Sequence, residues 1–182
     1  APTEIGFIRL NQTQQDTVGV AVSGDLAYLA DALDGVKVVD VSDPRNPTLV
    51  GIYDSPGFAQ GVTVYDGLGY VADGSEGVRV FDASSPDSPS EVGYFDTPGN
   101  AESITVTESQ AYVSDAGGGL HVVDVSDPSD PTPIATHDTR GCAWHSSVVG
   151  DYVYVADGHG GLLISRRTAG RAASGQPLGA TT

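Results

Sequence analysis

A repeat of 42 residues is the feature that most constrains the fold of this chain. Four segments of the form Tyr-x-Ala/Ser-Asp follow one another at intervals of 42 residues, and a glycine stands seven residues after each tyrosine. Internal similarity with a period of about 40–45 residues is typical of β-propellers, in which each repeat forms one blade. The four tyrosines are Tyr28, Tyr70, Tyr112 and Tyr154, and the glycines are Gly35, Gly77, Gly119 and Gly161.

Each repeat predicts four short β-strands. In the third repeat they fall at 103–107, 111–115, 120–125 and 132–138, all rich in Val, Ile and Tyr. The Gly-rich segments "ADGSEG" and "SDAGGG" suit tight hairpin turns, and the proline of "SDP" ends a strand because it cannot donate a ladder hydrogen bond. A β-sandwich fits less well, since its strands do not recur at one spacing. The sequence therefore predicts an all-β protein, a β-propeller built from four 42-residue, four-stranded blades.

The strand motifs also resemble a known family. "VKVVDVSDP" (36–44) follows "AYLAD", and "LHVVDVSDP" (120–128) follows "AYVSD", an arrangement similar to the LVIVD-repeat proteins over roughly residues 16–165. The resemblance implies a β-propeller in a secreted or surface-attached bacterial or archaeal protein, and hence an extracellular or cell-surface location. It implies no particular chemistry.

The two ends of the chain depart from the repeat. We expect residues 1–165 to form the blades, with "TEIGFIRL" (3–10) as a closing outer strand, because it resembles the fourth strands at 48–54 and 90–96. At 165–167 "SRR" stands where other repeats read "VDV" or "FDA". Residues 166–182 are therefore interpreted as a non-repeat tail, explained by an artificial junction or a shifted reading frame.

Three ways of completing the ring are open at this point. One chain could close a four-bladed ring, or two chains could each give four blades to an eight-bladed ring by exchanging their N-terminal strands. The chain could also be a fragment of a longer propeller. The length of each blade suits larger rings, so the sequence favours the dimer.

The charge of the chain excludes some partners. It has 24 acidic and 8 basic residues, a formal net charge of −16, and a single cysteine, which excludes an intrachain disulfide. Nucleic acids and anionic membranes attract the Lys/Arg clusters that this sequence lacks, and no apolar run is long enough to insert into a membrane. The acidic surface is expected to serve hydration.

The recurring polar residues are expected to be structural, so the sequence predicts no metal site and no cofactor. One aspartate per repeat is expected to accept backbone hydrogen bonds in its own turn, far from its equivalents around the ring. These are Asp31, Asp73, Asp115 and Asp157. His121, which aligns with Lys37 and Arg79 at another repeated position, is expected to face solvent.

Candidate site residues are those that break the repeat just before each first strand, which in propellers lies at one mouth of the central channel. The candidate ligand-binding residues are Trp144, Gln60, Phe58, Asn100 and Ser103, and the candidate catalytic residues are Glu102, Asp16 and His145. Trp144 and Phe58 could stack on a sugar ring. Glu102 and Asp16 could form a carboxylate pair, with His145 as a general base.

Two functions follow from these residues. The first is a surface module for binding or adhesion, taking a carbohydrate or another small molecule at the channel mouth. The alternative is a hydrolase, a glycosidase before an esterase, acting at the same mouth. Whether the protein is an enzyme is left open by the sequence.

Overall fold

The chain folds into β-strands grouped in four antiparallel sheets. The computed structural model describes residues 1–10 and 16–167, which contain fifteen strands and one 3-10 turn at Gly158–Gly160. No helix in this part of the chain is long and apolar enough to cross a membrane. The prediction of an all-β protein made of four propeller blades is confirmed.

The strands follow one another in chain order within each sheet, so each sheet is an up-and-down blade. Blade 1 contains β1 (Gly19–Ser23), β2 (Leu26–Ala30), β3 (Val36–Asp40) and β4 (Thr48–Tyr53). Blade 2 contains β5 (Gly61–Tyr65), β6 (Leu68–Ala72), β7 (Val78–Asp82) and β8 (Glu91–Phe95). Blade 3 contains β9 (Ser103–Thr107), β10 (Gln110–Ser114), β11 (Leu120–Asp124) and β12 (Thr132–His137). Blade 4 has three strands, β13 (His145–Val149), β14 (Tyr152–Ala156) and β15 (Leu162–Arg166).

The hydrophobic core is divided among the junctions between successive blades. Side chains alternate along each strand, so every blade has a forward face toward the following blade and a rear face toward the preceding one. In blade 2, Tyr70 and Val80 on the forward face pack with Ile104 of blade 3. On the rear face, Val71 and Phe81 pack with residues of blade 1. Three such clusters hold the four blades together.

A backbone bridge repeats at each junction. The N–H of Ala59 donates to the carbonyl of Ala32 at 2.9 Å, and Ala101–Gly74 and Ala143–Ala116 repeat the contact at the same distance.

The glycine that stands seven residues after each repeated tyrosine is required by the backbone, as Gly35 in blade 1 shows. Gly35 has φ of +72°, and a Cβ there would lie 2.2 Å from the carbonyl oxygen of Tyr53, so only glycine fits.

At one pair of facing positions the two side chains differ in size from blade to blade, while their combined volume stays similar. Phe81 of β7 lies opposite Gly69 of β6, and a Cβ on Gly69 would be 2.0 Å from the Phe81 ring. The same register brings a valine opposite an alanine in blades 1 and 3, and a serine opposite a valine in blade 4. These pairs are Val39–Ala27, Val123–Ala111 and Ser165–Val153.

The first and last blades of the described arc are not joined by a shared sheet. Residues 3–10, predicted to be a closing outer strand, carry no strand, and β15 has no fourth strand beside it in the described part of the chain. The prediction of four-stranded blades therefore holds for three blades within one chain. Ser165 and Arg166, where the repeat was expected to end, continue β15, and the Arg167 guanidinium donates to the Tyr112 hydroxyl at 3.1 Å. The rest of the predicted tail, 168–182, lies outside the described residues.

Candidate functional site

The beginnings of the four inner strands enclose a cleft of about 300 Å³ on the concave side of the blades. Each blade contributes one short segment to it, ending at the first residues of β1, β5, β9 or β13. The lining residues are Val18, Gly19, Val20, Gln60, Gly61, Val62, Glu102, Ser103, Ile104, Trp144 and His145. Five of the eight candidate site residues are therefore brought together: Gln60, Glu102, Ser103, Trp144 and His145.

Small residues at one repeated position let the inner strands approach one another around this cleft. A Cβ on Gly19 would lie 3.1 Å from the Gln60 carbonyl oxygen, and a Cβ on Gly61 would lie 3.2 Å from that of Glu102. The equivalent residue is Ser103 in blade 3 and His145 in blade 4. The side chain at this position is thus larger in blades 3 and 4 than in blades 1 and 2. Polar residues occupy the position where the inner strands do not need a glycine to approach one another.

Blade 3 supplies the hydrogen-bonding groups of the cleft. The Asn100 amide donates to Glu102 Oε1 at 2.6 Å, which orients this half-buried carboxylate while leaving Oε2 available. Ser103 is only 6% exposed, and its Oγ has no hydrogen-bond partner among the described residues. Buried hydroxyls are normally satisfied. The Ser103 hydroxyl is therefore a buried and unsatisfied polar group in the wall of the cleft.

Blade 4 supplies the aromatic surface. Trp144, the single tryptophan of the chain, is 51% exposed although its backbone N–H is fixed to the Ala156 carbonyl at 2.9 Å. Its indole Nε1 lies beside Gly158, where a Cβ would come within 3.1 Å. The next residue, the exposed His145, opens β13 and faces the same cleft. An open indole face next to polar groups is suited to stacking on a flat apolar surface.

Three of the predicted site residues lie outside the lining. Asp16 is exposed and precedes the cleft segment of blade 1. Phe58 and Asn100 gather beside Gly74, where a Cβ would lie 3.4 Å from the Phe58 Cβ and from the Asn100 side-chain oxygen. Asn100 still acts on the cleft through Glu102. Glu102 is the one carboxylate in the lining, so the cleft itself holds no carboxylate pair.

Two of the recurring aspartates bind a basic side chain of their own blade. Lys37 is buried and bonds Asp31, and the buried His121 lies 3.1 Å from Asp115. The expectation that His121 faces solvent is wrong, because its ring is buried and turns to Asp115 of the same blade. A basic residue at one register position in three repeats was the signal that sequence reasoning missed.

The aspartates also tie successive blades together, as structural rather than catalytic groups. Asp73 accepts the Ser55 hydroxyl at 2.6 Å and the Gly57 N–H at 2.8 Å. Burial raises the pKa of Asp73 above its ordinary value, although these hydrogen bonds lower it. Thr97 and Gly99 repeat the arrangement on Asp115. These partners come from the loop that leads from the preceding blade into the aspartate's own blade, and not from the aspartate's own turn.

Comparison with known sequences identifies the repeat. The LVIVD repeat matches the chain four times, at residues 15–55, 56–97, 98–139 and 140–164. No curated protein sequence matches it.

Solved structures are similar to the chain in fold. The computationally designed Ika4 protein aligns with 91% of this chain and 99% of its own, with a TM-score of 0.73 and 13% identity. The designed Ika8 protein aligns with 85% of this chain, with a TM-score of 0.70 and 13% identity. BamB from Moraxella catarrhalis also aligns with 85%, with a TM-score of 0.62 and 20% identity. The chain spans about half of the last two, 47% of each. At these identities the similarity shows the propeller fold alone.

Proposed function

The chain belongs to the LVIVD-repeat family, and we propose that it is a binding module that takes a carbohydrate in the cleft at the start of its inner strands. The observation that carries the proposal is that the half-exposed Trp144 indole and the half-buried Glu102 carboxylate line one cleft. Sugars present a flat C–H face and a rim of hydroxyls. An aromatic ring next to hydrogen-bonding groups therefore matches them.

The polar groups of the cleft support a hydroxyl-rich ligand. Glu102 and Gln60 offer carboxylate and amide groups, while the exposed His145 can donate or accept. Such a mixture suits hydroxyls, which are donors and acceptors at once. The formal charge of −16 disfavours acidic polysaccharides, so we propose neutral or amino sugars as the ligand class.

Binding is better supported than hydrolysis. A glycosidase generally needs two carboxylates, separated by about 5–10 Å, on either side of the bond it cleaves. The lining contains Glu102, while Asp16 precedes the cleft segment of blade 1. Binding or adhesion at the cell surface is therefore the role we propose, and the extracellular location is part of this proposal.

A glycan array comparing two aromatic substitutions tests the proposal. The unmodified chain should bind a set of neutral or amino-sugar glycans, and Trp144→Ala should lose this binding because the stacking surface is gone. Tyr65→Ala is the matched control, since Tyr65 is also an exposed aromatic residue but lies at the other end of its inner strand, β5. Absence of glycan binding, or equal binding by both variants, would contradict the proposal.

A further inference from the structure

We propose that a second copy of this chain closes the ring. In this arrangement the forward face of blade 4 in each copy packs on the rear face of blade 1 in the other. Each N-terminal segment, residues 3–10, adds to β15 of its partner as the missing outer strand. The inference is independent of the ligand, and it rests on three observations at the two ends of the arc.

The first observation is the exposed forward face of blade 4. Leu162 and Ile164 are 65% and 54% exposed, whereas the equivalent Leu120 and Val122 of blade 3 are 2% and 8% exposed beneath blade 4. Tyr152, on the same strand pair, is exposed as well. The sequence thus retains, on the last blade, the apolar side chains that elsewhere form a junction core.

The second observation is the matching rear face of blade 1. Val20 and Val22 are 64% and 66% exposed, while the equivalent Ile104 and Val106 of blade 3 are 6% and 8% exposed against blade 2. The two exposed faces are therefore the two halves of one further junction. Burying such apolar surface is favourable, by roughly 25 cal/mol per Å². Within the described residues β1 packs on β5, β5 on β9 and β9 on β13, whereas no comparable packing joins β1 to β13, so these residues leave the two halves unjoined within one chain.

The third observation is the position of the N-terminal segment. A Cβ on Gly6 would lie 1.7 Å from the Pro44 carbonyl oxygen of blade 1. Likewise, a Cβ on Gly51 of β4 would lie 2.0 Å from the Pro86 carbonyl oxygen, and a Cβ on Gly93 of β8 would lie 2.3 Å from the Pro128 carbonyl oxygen. In both internal cases a glycine of one blade's outer strand rests on the following blade. Gly6 thus lies on blade 1 where the outer-strand glycine of a preceding blade would lie.

The internal blades give the register of the exchanged strand. In blade 1, Val38 pairs with Gly51 and Val36 with Tyr53. By the 42-residue repeat Ile164 corresponds to Val38, and by its contact with the Pro44 carbonyl Gly6 corresponds to Gly51. Ile164 should therefore pair with Gly6 of the partner subunit, and Leu162 with Ile8 of the partner subunit. This pairing would satisfy the open edge of β15, which an unpaired strand otherwise leaves as a site for uncontrolled association.

Closure would also complete the binding cleft. Within the chain, the residue at the Gly19 position approaches the strand start of the following blade. His145 holds this position in blade 4, so it would face Gly19 of the partner subunit, where no side chain competes for space. The two concave clefts would join into one channel, with each lining residue present twice about a two-fold axis.

Disulfide cross-linking tests the register. In a Cys142→Ser background, Ile8→Cys with Leu162→Cys should give a disulfide-linked dimer on a non-reducing gel, because opposed strand residues lie within disulfide range. The control is Phe7→Cys with Leu162→Cys, since Phe7 points to the other side of the strand. Equal cross-linking of both pairs, or a disulfide formed within one chain, would overturn the strand exchange.

Light scattering during size-exclusion chromatography tests the dimer itself. The chain should elute with a molar mass of about 37 kDa, twice the 18.6 kDa of one copy. Val22→Asp should elute as a folded monomer, verified by circular dichroism, because Val22 is exposed within one chain. Ile52→Asp is the matched control on the exposed outer strand β4 and should remain dimeric. A monomeric unmodified chain, as for a fragment of a longer propeller, or an open-ended polymer would overturn the proposal.

Discussion

The Phe81 ring fills the space beside Gly69. Gly69→Ala should therefore destabilise the unmodified chain but stabilise a chain that already carries Phe81→Val. Phe81 is fully buried and stacked on Tyr53 with ring centroids 4.8 Å apart, and it fills the space that a Gly69 side chain would need. Gly69→Ala would place Cβ 2.0 Å from the Phe81 ring. Overpacking of this kind costs about 1–3 kcal/mol.

Phe81→Val should also be destabilising when made alone. Truncation of a buried phenylalanine to alanine costs about 3–5 kcal/mol, and valine retains part of that volume, so we expect a loss of about 2–4 kcal/mol. With both substitutions, blade 2 acquires the alanine–valine pair that blades 1 and 3 already use. The added methyl then fills part of the cavity instead of striking a ring.

Urea unfolding of the four chains at one protein concentration measures this cycle. The double variant should be more stable than Phe81→Val alone, and the coupling energy should be about 1–3 kcal/mol. A fixed concentration is needed because dimerisation adds to apparent stability. Effects that add to within about 0.5 kcal/mol would refute the account of complementary packing at this junction.

Two further predictions concern the polar framework. Lys37→Met removes the cation that bonds the buried Asp31 and should destabilise the chain by about 3 kcal/mol. Burial lowers the pKa of Lys37, but hydrogen bonds to Asp31 and Asp34 outweigh it and raise the pKa, so this stabilisation is present at neutral pH and is lost as the pH rises through the raised value. Thermal melts from pH 7 to 12 check it, because only the unmodified chain should lose stability from this source. Ser84→Ala should raise the pKa of Asp82, whose carboxylate accepts the Ser84 hydroxyl and backbone N–H and therefore has a lowered pKa. That stabilisation is present above pH 4 and is lost as the pH falls through the lowered pKa, so an NMR titration in which Asp82 is unchanged by Ser84→Ala would contradict it.

The repeat made most of the fold predictable, and the exceptions have physical causes. The first strand of the third repeat was predicted at 103–107 and lies at Ser103–Thr107, because alternation and turn residues act locally. The burial of His121 was not predicted, since the alternation along a strand does not reveal which of its faces is covered. β15 continues through Ser165 and Arg166 because ladder hydrogen bonds require backbone, not apolar side chains.

The site was predictable to the extent that it depends on the repeat. Positions that break the repeat before each inner strand identified Gln60, Glu102 and Trp144, and the common register brings them into one cleft. Asp16 lies before the cleft segment of blade 1 and outside the lining. Because an insertion precedes blade 1, its position could not be found by counting residues from the repeat. The unpartnered hydroxyl of Ser103 could only be seen with the fold in place.

Fluorescence of Trp144 tests the central claim most directly, because the chain has no other tryptophan and this one lies in the cleft. Titration with a glycan that the chain binds should shift the emission to shorter wavelength and reduce quenching by acrylamide, a neutral quencher unaffected by the acidic surface. Both changes should saturate together with binding, because the sugar covers the half-exposed indole. Binding that leaves the emission and the quenching of Trp144 unchanged would contradict the account.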